Sequence, residues 1–187
     1  MEESWNRLKE WLAANWPEAL DNLAAPATDS QIAALESQLG AKLPEDFVAC
    51  LKVHNGQSNA FGDLFEGGEF LSTEGIMDQW NVWQDLLKAH TFDGIKSEPQ
   101  PGIKNDWWNS RWIPFTYDGS GNHYCLDLDP AESGRSGQII TMWHDASERE
   151  LLAPSFAQWF DDFVKGILSG QLVFSEDYGC IVPIEDL

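Results

Sequence analysis

Apolar residues recur at steps of three and four in several stretches of the chain, and most of these stretches carry their own start or stop signal. Trp5, Leu8, Leu12 and Trp16 form one stripe, which predicts a helix over residues 3–16 ended by Pro17. Thr28 and Gln31 have capping-box spacing ahead of Ile32, Leu35 and Leu39, with Gly40 as the stop. In LPEDFVACLKVHNG, Pro44 suits a first helical turn, Glu45 and Asp46 complement the helix N-terminus, and Asn55-Gly56 closes the element. Phe47, Val48 and Leu51 then face the core. From Thr73, Ile76, Trp80, Trp83 and Leu87 keep helical period. Ser155 and Gln158 repeat the capping-box spacing before Phe156, Trp159, Phe160, Phe163 and Ile167, so a last helix ends near Gly170.

Between these helices the period shortens. FGDLF and EFL, separated by Glu66-Gly67-Gly68-Glu69, read as a hairpin or an irregular strand pair. SEPQPG, residues 97–102, is a loop by its prolines and glycine. WIPFTY and HYCLDL flank Asp118-Gly119-Ser120-Gly121-Asn122, and GQIITMWHD follows the polar spacer DPAESGRSG. Three such strands predict a meander, and Leu172–Phe174 is a short strand for a sheet edge. Helices at both ends with strands grouped between them imply an α+β fold, a single domain over residues 1–187 with a mainly antiparallel central sheet packed by N- and C-terminal helices.

The formal charge of −20, from 31 acidic and 11 basic residues, changes the functional picture most. That field repels phosphate backbones and anionic lipid, and favours encounter with a basic protein surface. Direct nucleic-acid or membrane binding is therefore not expected. Cys50, Cys125 and Cys180 form no Cys-x-x-Cys pair, the N-terminus has no signal-like apolar run, and no stretch has membrane-spanning length. These features place the chain in the cytoplasm. Oligomeric state is left open.

The Asp118–Asn122 loop superficially has a calcium-loop look. With Gly121 at the sixth position, however, Thr116 occupies the first ligand position and Asp127 replaces the bidentate glutamate. A phosphate cradle lacks its Lys-Ser/Thr and its helix. A hairpin turn needs nothing extra, since Asp-Gly and Gly-Asn supply the positive-φ positions. His123 and Cys125 share one strand face, which raises a thiol nucleophile beside a base. No third orienting group marks the pair, and a buried cysteine beside a solvated histidine is the simpler reading. The four histidines have no metal-ligand spacing. No catalytic residue, metal or cofactor is therefore assigned.

Asp127 and Asp129 alternate along a strand that runs into Glu132 and point to one acidic face. Trp107, Trp108 and Trp112 can scarcely all point inward, so one or more is an interface anchor. With Asp118, these seven residues are the expected partner-binding set.

The ordered set LPEDFVACLKVHNGQ, WIPFTYDGSGNHYCLDLDP, GQIITMWHD and SFAQWFDDF resembles the SUKH superfamily, in its Smi/Knr-type branch of cell-wall assembly regulators, over about residues 28–170. The resemblance implies an α+β domain without catalytic apparatus that works by binding. Bacterial members look like immunity proteins that neutralise toxins, frequently nucleases, and fungal relatives are scaffolds in cell-wall signalling. A basic cognate toxin is thus the expected partner, with a regulatory scaffold as the alternative.

Overall fold

The computed structural model describes residues 1–58, 62–66 and 68–187. In chain order the elements are α1 Glu2–Asn15, α2 Pro17–Asp21, α3 Asp29–Leu39, α4 Glu45–Leu51, β1 Glu69–Phe70, α5 Thr73–Lys88, β2 Glu98–Pro99, β3 Trp112–Pro114 and β4 Thr116–Tyr117. They continue with β5 His123–Asp127, β6 Gln138–Met142, β7 Glu148–Arg149, β8 Leu151–Ala153, α6 Phe156–Ser169, β9 Leu172–Ser175 and β10 Cys180–Pro183. The fold is α+β, as the pattern predicts.

The helix ends follow their local chemistry. The Thr28 hydroxyl accepts from Gln31 N–H at 3.2 Å, and the Gln31 side chain accepts from Thr28 N–H at 2.9 Å. Both halves of the capping box are therefore closed, and Gly40 turns left-handed at φ +59°. At α6 only half of the box forms. Ser155 caps Gln158 N–H, but the Gln158 side chain donates forward to Asp162 at 2.8 Å.

The central sheet has the order β3-β5-β6-β8, with every neighbouring pair antiparallel. The predicted meander is β3, β5 and β6, in the register Trp112↔Asp127 and Cys125↔Ile140. β8 adds a fourth strand that periodicity did not signal. Alternate side chains enter two different cores. Ile113, Leu126, Ile139 and Ala153 pack with α1, α3, α4 and α6 in the larger one. Trp112, Cys125, Ile140 and Met142 turn the other way, onto Trp83 of α5 and onto Ile103 and Trp108. Aromatic rings fill the larger core, with Trp5 and Phe160 centroids 4.9 Å apart, as are Phe47 and Phe156.

Three expectations need correction. β9 does not extend the central sheet but pairs with β10 in a separate hairpin, which packs on α6. Pro44 sits at the N-cap of α4, just outside its first turn. Asn55-Gly56 lies beyond the end of α4 at Leu51 and does other work. The Asn55 side chain accepts from Thr73 N–H at 2.9 Å at the start of α5, and Gln57 N–H donates to the Phe70 carbonyl at 2.8 Å. In the FGDLF and Glu66–Glu69 segment, Phe61 and Gly67 fall outside the described residues. Phe65 bridges Gly68, and β1 pairs with β4 rather than with a partner of its own segment.

Gly56 has φ +76°, and a Cβ there would stand 2.3 Å from Ser72 N and 2.8 Å from the Phe70 carbonyl oxygen. Gly40 also has positive φ but meets nothing within 4 Å. Gly40→Ala should therefore cost only the left-handed backbone, about 1 kcal/mol, whereas Gly56→Ala should cost about 3 kcal/mol or more because main chain must move. Urea unfolding of both variants checks this, and equal losses would refute the packing account.

Candidate functional site

The Asp118–Asn122 turn is organised by its own aspartate. The Asp118 carboxylate accepts from the backbone N–H groups of Ser120 at 2.8 Å, Gly121 at 3.1 Å and Asn122 at 2.9 Å, and from the side chains of Ser120 and Asn122. Burial works against its ionisation, but these hydrogen bonds prevail and hold the carboxyl below its usual range. Asn122 in turn accepts from His144 N–H at 2.9 Å, which ties the turn to the loop after β6. The oxygens a calcium ion would need are spent on the turn itself. Among the described residues no group of three or more His, Cys, Asp or Glu side chains is placed to hold a metal.

His123 and Cys125 share a strand face, but that face is core. His123 is 1 % exposed, not solvated as the sequence suggested. Its Nδ1 lies 2.7 Å from the Thr116 carbonyl and its Nε2 lies 3.0 Å from the Trp83 indole N–H. This geometry suits a neutral ring that donates to Thr116 and accepts from Trp83. Burial depresses its pKa to about 4 and pushes the Cys125 thiol well up. A thiol kept protonated inside the core does not serve as a nucleophile.

The acidic strand is not an open face. Asp127 is fully buried, with its carboxylate accepting from Gln138 Nε2 at 2.8 Å and from Asp129 N–H at 3.0 Å. Desolvation nonetheless raises its pKa. Asp129 is met by Lys104 at 2.6 Å and by Asn109 at 3.0 Å, which hold its carboxyl low. Asp127 thus leaves the contact set, because in a sheet covered on both faces the strand alternation sends it into the second core. Only Glu132 of that run is an exposed acid without a structural task of this kind.

The tryptophans are corrected as well. Trp112 is fully buried and Trp108 is 3 % exposed, while Trp107 is half-buried. Two of them, Trp107 and Trp112, flank a cation that sequence reasoning missed. Arg149, itself fully buried, lies 5.2 Å from the Trp107 ring and 5.9 Å from the Trp112 ring. Its guanidinium donates to the carbonyls of Ala146 and Glu148 at 2.7 Å and of Trp107 at 2.9 Å. Desolvation lowers its pKa to about 10, so it stays charged at neutral pH. The sole sequence hint was an arginine next to a strand in a chain short of basic residues.

The uncommitted carboxylates lie elsewhere, around the turn and β1. Burial raises the pKa of Asp63, Glu66 and Glu69, and neighbouring acids add to it: Asp118 for Asp63, Asp186 for Glu66 and Asp63 for Glu69. None of the three enters an ion pair among the described residues.

Two outcomes follow from this geometry. Because unfolded histidine titrates near 6.5 and native His123 near 4, the unfolded chain takes up a proton that the native state refuses. Its stabilisation is complete above about pH 6.5 and is lost as pH falls toward 4, worth roughly 3 kcal/mol. The raised carboxyls act in the opposite sense, so the observable is wild type minus His123→Asn in denaturant titrations from pH 7 to 4. A difference that does not change with pH would refute the buried neutral ring. Separately, Arg149→Lys should cost about 2 kcal/mol, since one ammonium cannot span three carbonyls and two rings. An unchanged urea midpoint would count against the clasp.

Among the described residues no helix is long and apolar enough to cross a membrane. The chain is 26% identical over 212 residues to the glucan synthesis regulatory protein of Neurospora crassa, covering 93% of this chain and 40% of that protein. It is 26% identical over 190 residues to the cell wall biosynthesis/cell cycle regulator smi1 of Schizosaccharomyces pombe, covering 94% and 38%. It is also 24% identical over 178 residues to F-box only protein 3 of Homo sapiens, covering 91% and 35%. The chain therefore spans well under half the length of each, and the names of the two fungal relatives are those of regulators rather than enzymes. Residues 26–162 match the SMI1 / KNR4 family (SUKH-1), and the chain belongs to that family.

Proposed function

We propose that this chain is a non-enzymatic binding protein that engages a basic protein surface, and that its partner is a toxin it neutralises. The observation that carries the reading is the set of carboxylates Asp63, Glu66 and Glu69, partly desolvated and without ion-pair partners among the described residues. On a chain of charge −20 each is repelled by another acid, Asp63 by Asp118, Glu66 by Asp186 and Glu69 by Asp63. A lysine or arginine brought by a partner relieves that repulsion, so the cost carried by the free protein becomes a gain on binding. Asp118 and Glu132, the members of the expected set that are exposed acids, widen the same negative field. A toxin that acts on nucleic acid must itself be basic, and an acidic surface competes for its phosphate-binding groups.

A regulatory scaffold is the second reading, favoured by the names of the fungal relatives, a glucan synthesis regulatory protein and a cell wall biosynthesis/cell cycle regulator. The two differ in what the partner does alone. Affinity capture at low and high salt identifies it, and expression of that partner with and without this chain gives the growth readout. Under the toxin reading the partner arrests growth and co-expression restores it, while Glu66→Lys with Glu69→Lys slows association by about tenfold or more at low salt. A harmless regulatory partner would select the scaffold. Association that ignores both salt and charge reversal would refute the acidic surface itself.

A further inference from the structure

Beside α6 lies a groove whose floor is the half-buried Trp159 with the buried Phe163 and Gly166, and whose exposed apolar surface comes from its walls. Trp159, Phe163 and Gly166 follow one another along the helix, and Leu152 of β8, Leu172 of β9 and Ile184 after β10 form the walls of this groove of about 480 Å³. Ile184 is 56 % exposed and Leu152 is 39 % exposed. A Cβ on Gly166 would stand 2.9 Å from Leu172 Cδ1, so Leu172 closes that end. From Trp159 to Gly166 the floor runs about 10 Å along the helix axis, roughly two turns.

The rim carries one sign of charge. Glu66, Asp162 and Glu185 line the groove, and no lysine or arginine does. Asp162 is engaged by Gln158 and Lys165. No ion pair among the described residues includes Glu66 or Glu185.

The geometry points to this groove as the docking site for an amphipathic helix of the partner protein, its apolar stripe on Trp159, Leu152 and Ile184 and its lysines or arginines against Glu66 and Glu185. The inference rests on the basic-partner reading above and gives it a location and a shape. A floor made of successive turns of one helix offers ridges and grooves to a second helix. Charge selects the occupant: another copy of this chain would bring −20 to an acidic rim and be repelled, whereas a basic segment is attracted.

Three peptides of ~18 residues, about five turns, test this against the whole chain at low salt. One places leucines at helical spacing among lysines, one is its scrambled isomer, and one has the leucines replaced by serine. The patterned peptide should bind about tenfold or more tightly than its isomer, with amide shift changes centred on α6, β9 and β10. Leu152→Asp with Ile184→Asp, both at exposed positions, should abolish that preference without lowering the melting temperature. Equal binding by all three peptides would overturn the groove and leave the acidic-surface reading intact. No binding by any of them would overturn both. Dimerisation of the free chain that Ile184→Asp abolishes would assign the groove to a second copy and overturn the proposal.

Discussion

The central sheet is covered on both faces, and this governs where every strand side chain ends up. With α1, α3, α4 and α6 on one side and α5 with the Trp108 loop on the other, successive side chains of β3, β5 and β6 enter two different cores. A sheet of this kind has no solvated side for alternating polar residues. A polar group that the strands carry inward is therefore costly unless it finds a partner there. His123 finds Trp83 and Thr116, and Asp127 finds Gln138 and the Asp129 amide.

The same need explains the aromatic and basic residues of the smaller core. A guanidinium removed from water without a carboxylate is tolerable only where carbonyl oxygens and ring faces replace its hydration. Arg149 receives three carbonyls and the faces of Trp107 and Trp112. That arrangement links the loop before β3 to β7. Two of the three tryptophans that look like anchors for a partner, Trp107 and Trp112, are thus occupied by a cation of their own chain, and Trp108 stacks on Trp83.

Electrostatics then divides the acids into two populations. Asp118, Asp127 and Asp129 are consumed internally, by a turn, a buried amide and a lysine. Asp63, Glu66 and Glu69 are partly desolvated and face further negative charge. The first population holds the fold together, and the second is where a cationic partner gains most. The groove beside α6 shares Glu66 with that second population, which joins apolar contact and charge attraction in one surface.

Features under local chemical control were legible along the chain. The Thr28 capping box, the Gly40 and Gly170 stops and the Asp118 turn are each set by residues a few positions apart, and the strands of the β3-β5-β6 meander follow closely along the chain. The ordered motifs also carried the family, since their spacing is a property of the chain. Packing alone set the side on which each strand residue found solvent. Alternation tells which residues share a face but not whether a second layer covers it, so Asp127 reads as surface and is core, and the sequence could not tell which of Trp107, Trp108 and Trp112 is exposed. The partners of Arg149 lie up to 42 positions away and the groove is built from α6, β8 and the β9–β10 hairpin. Such neighbours exist only once distant segments pack, because burial and charge pairing depend on three-dimensional proximity and not on spacing along the chain.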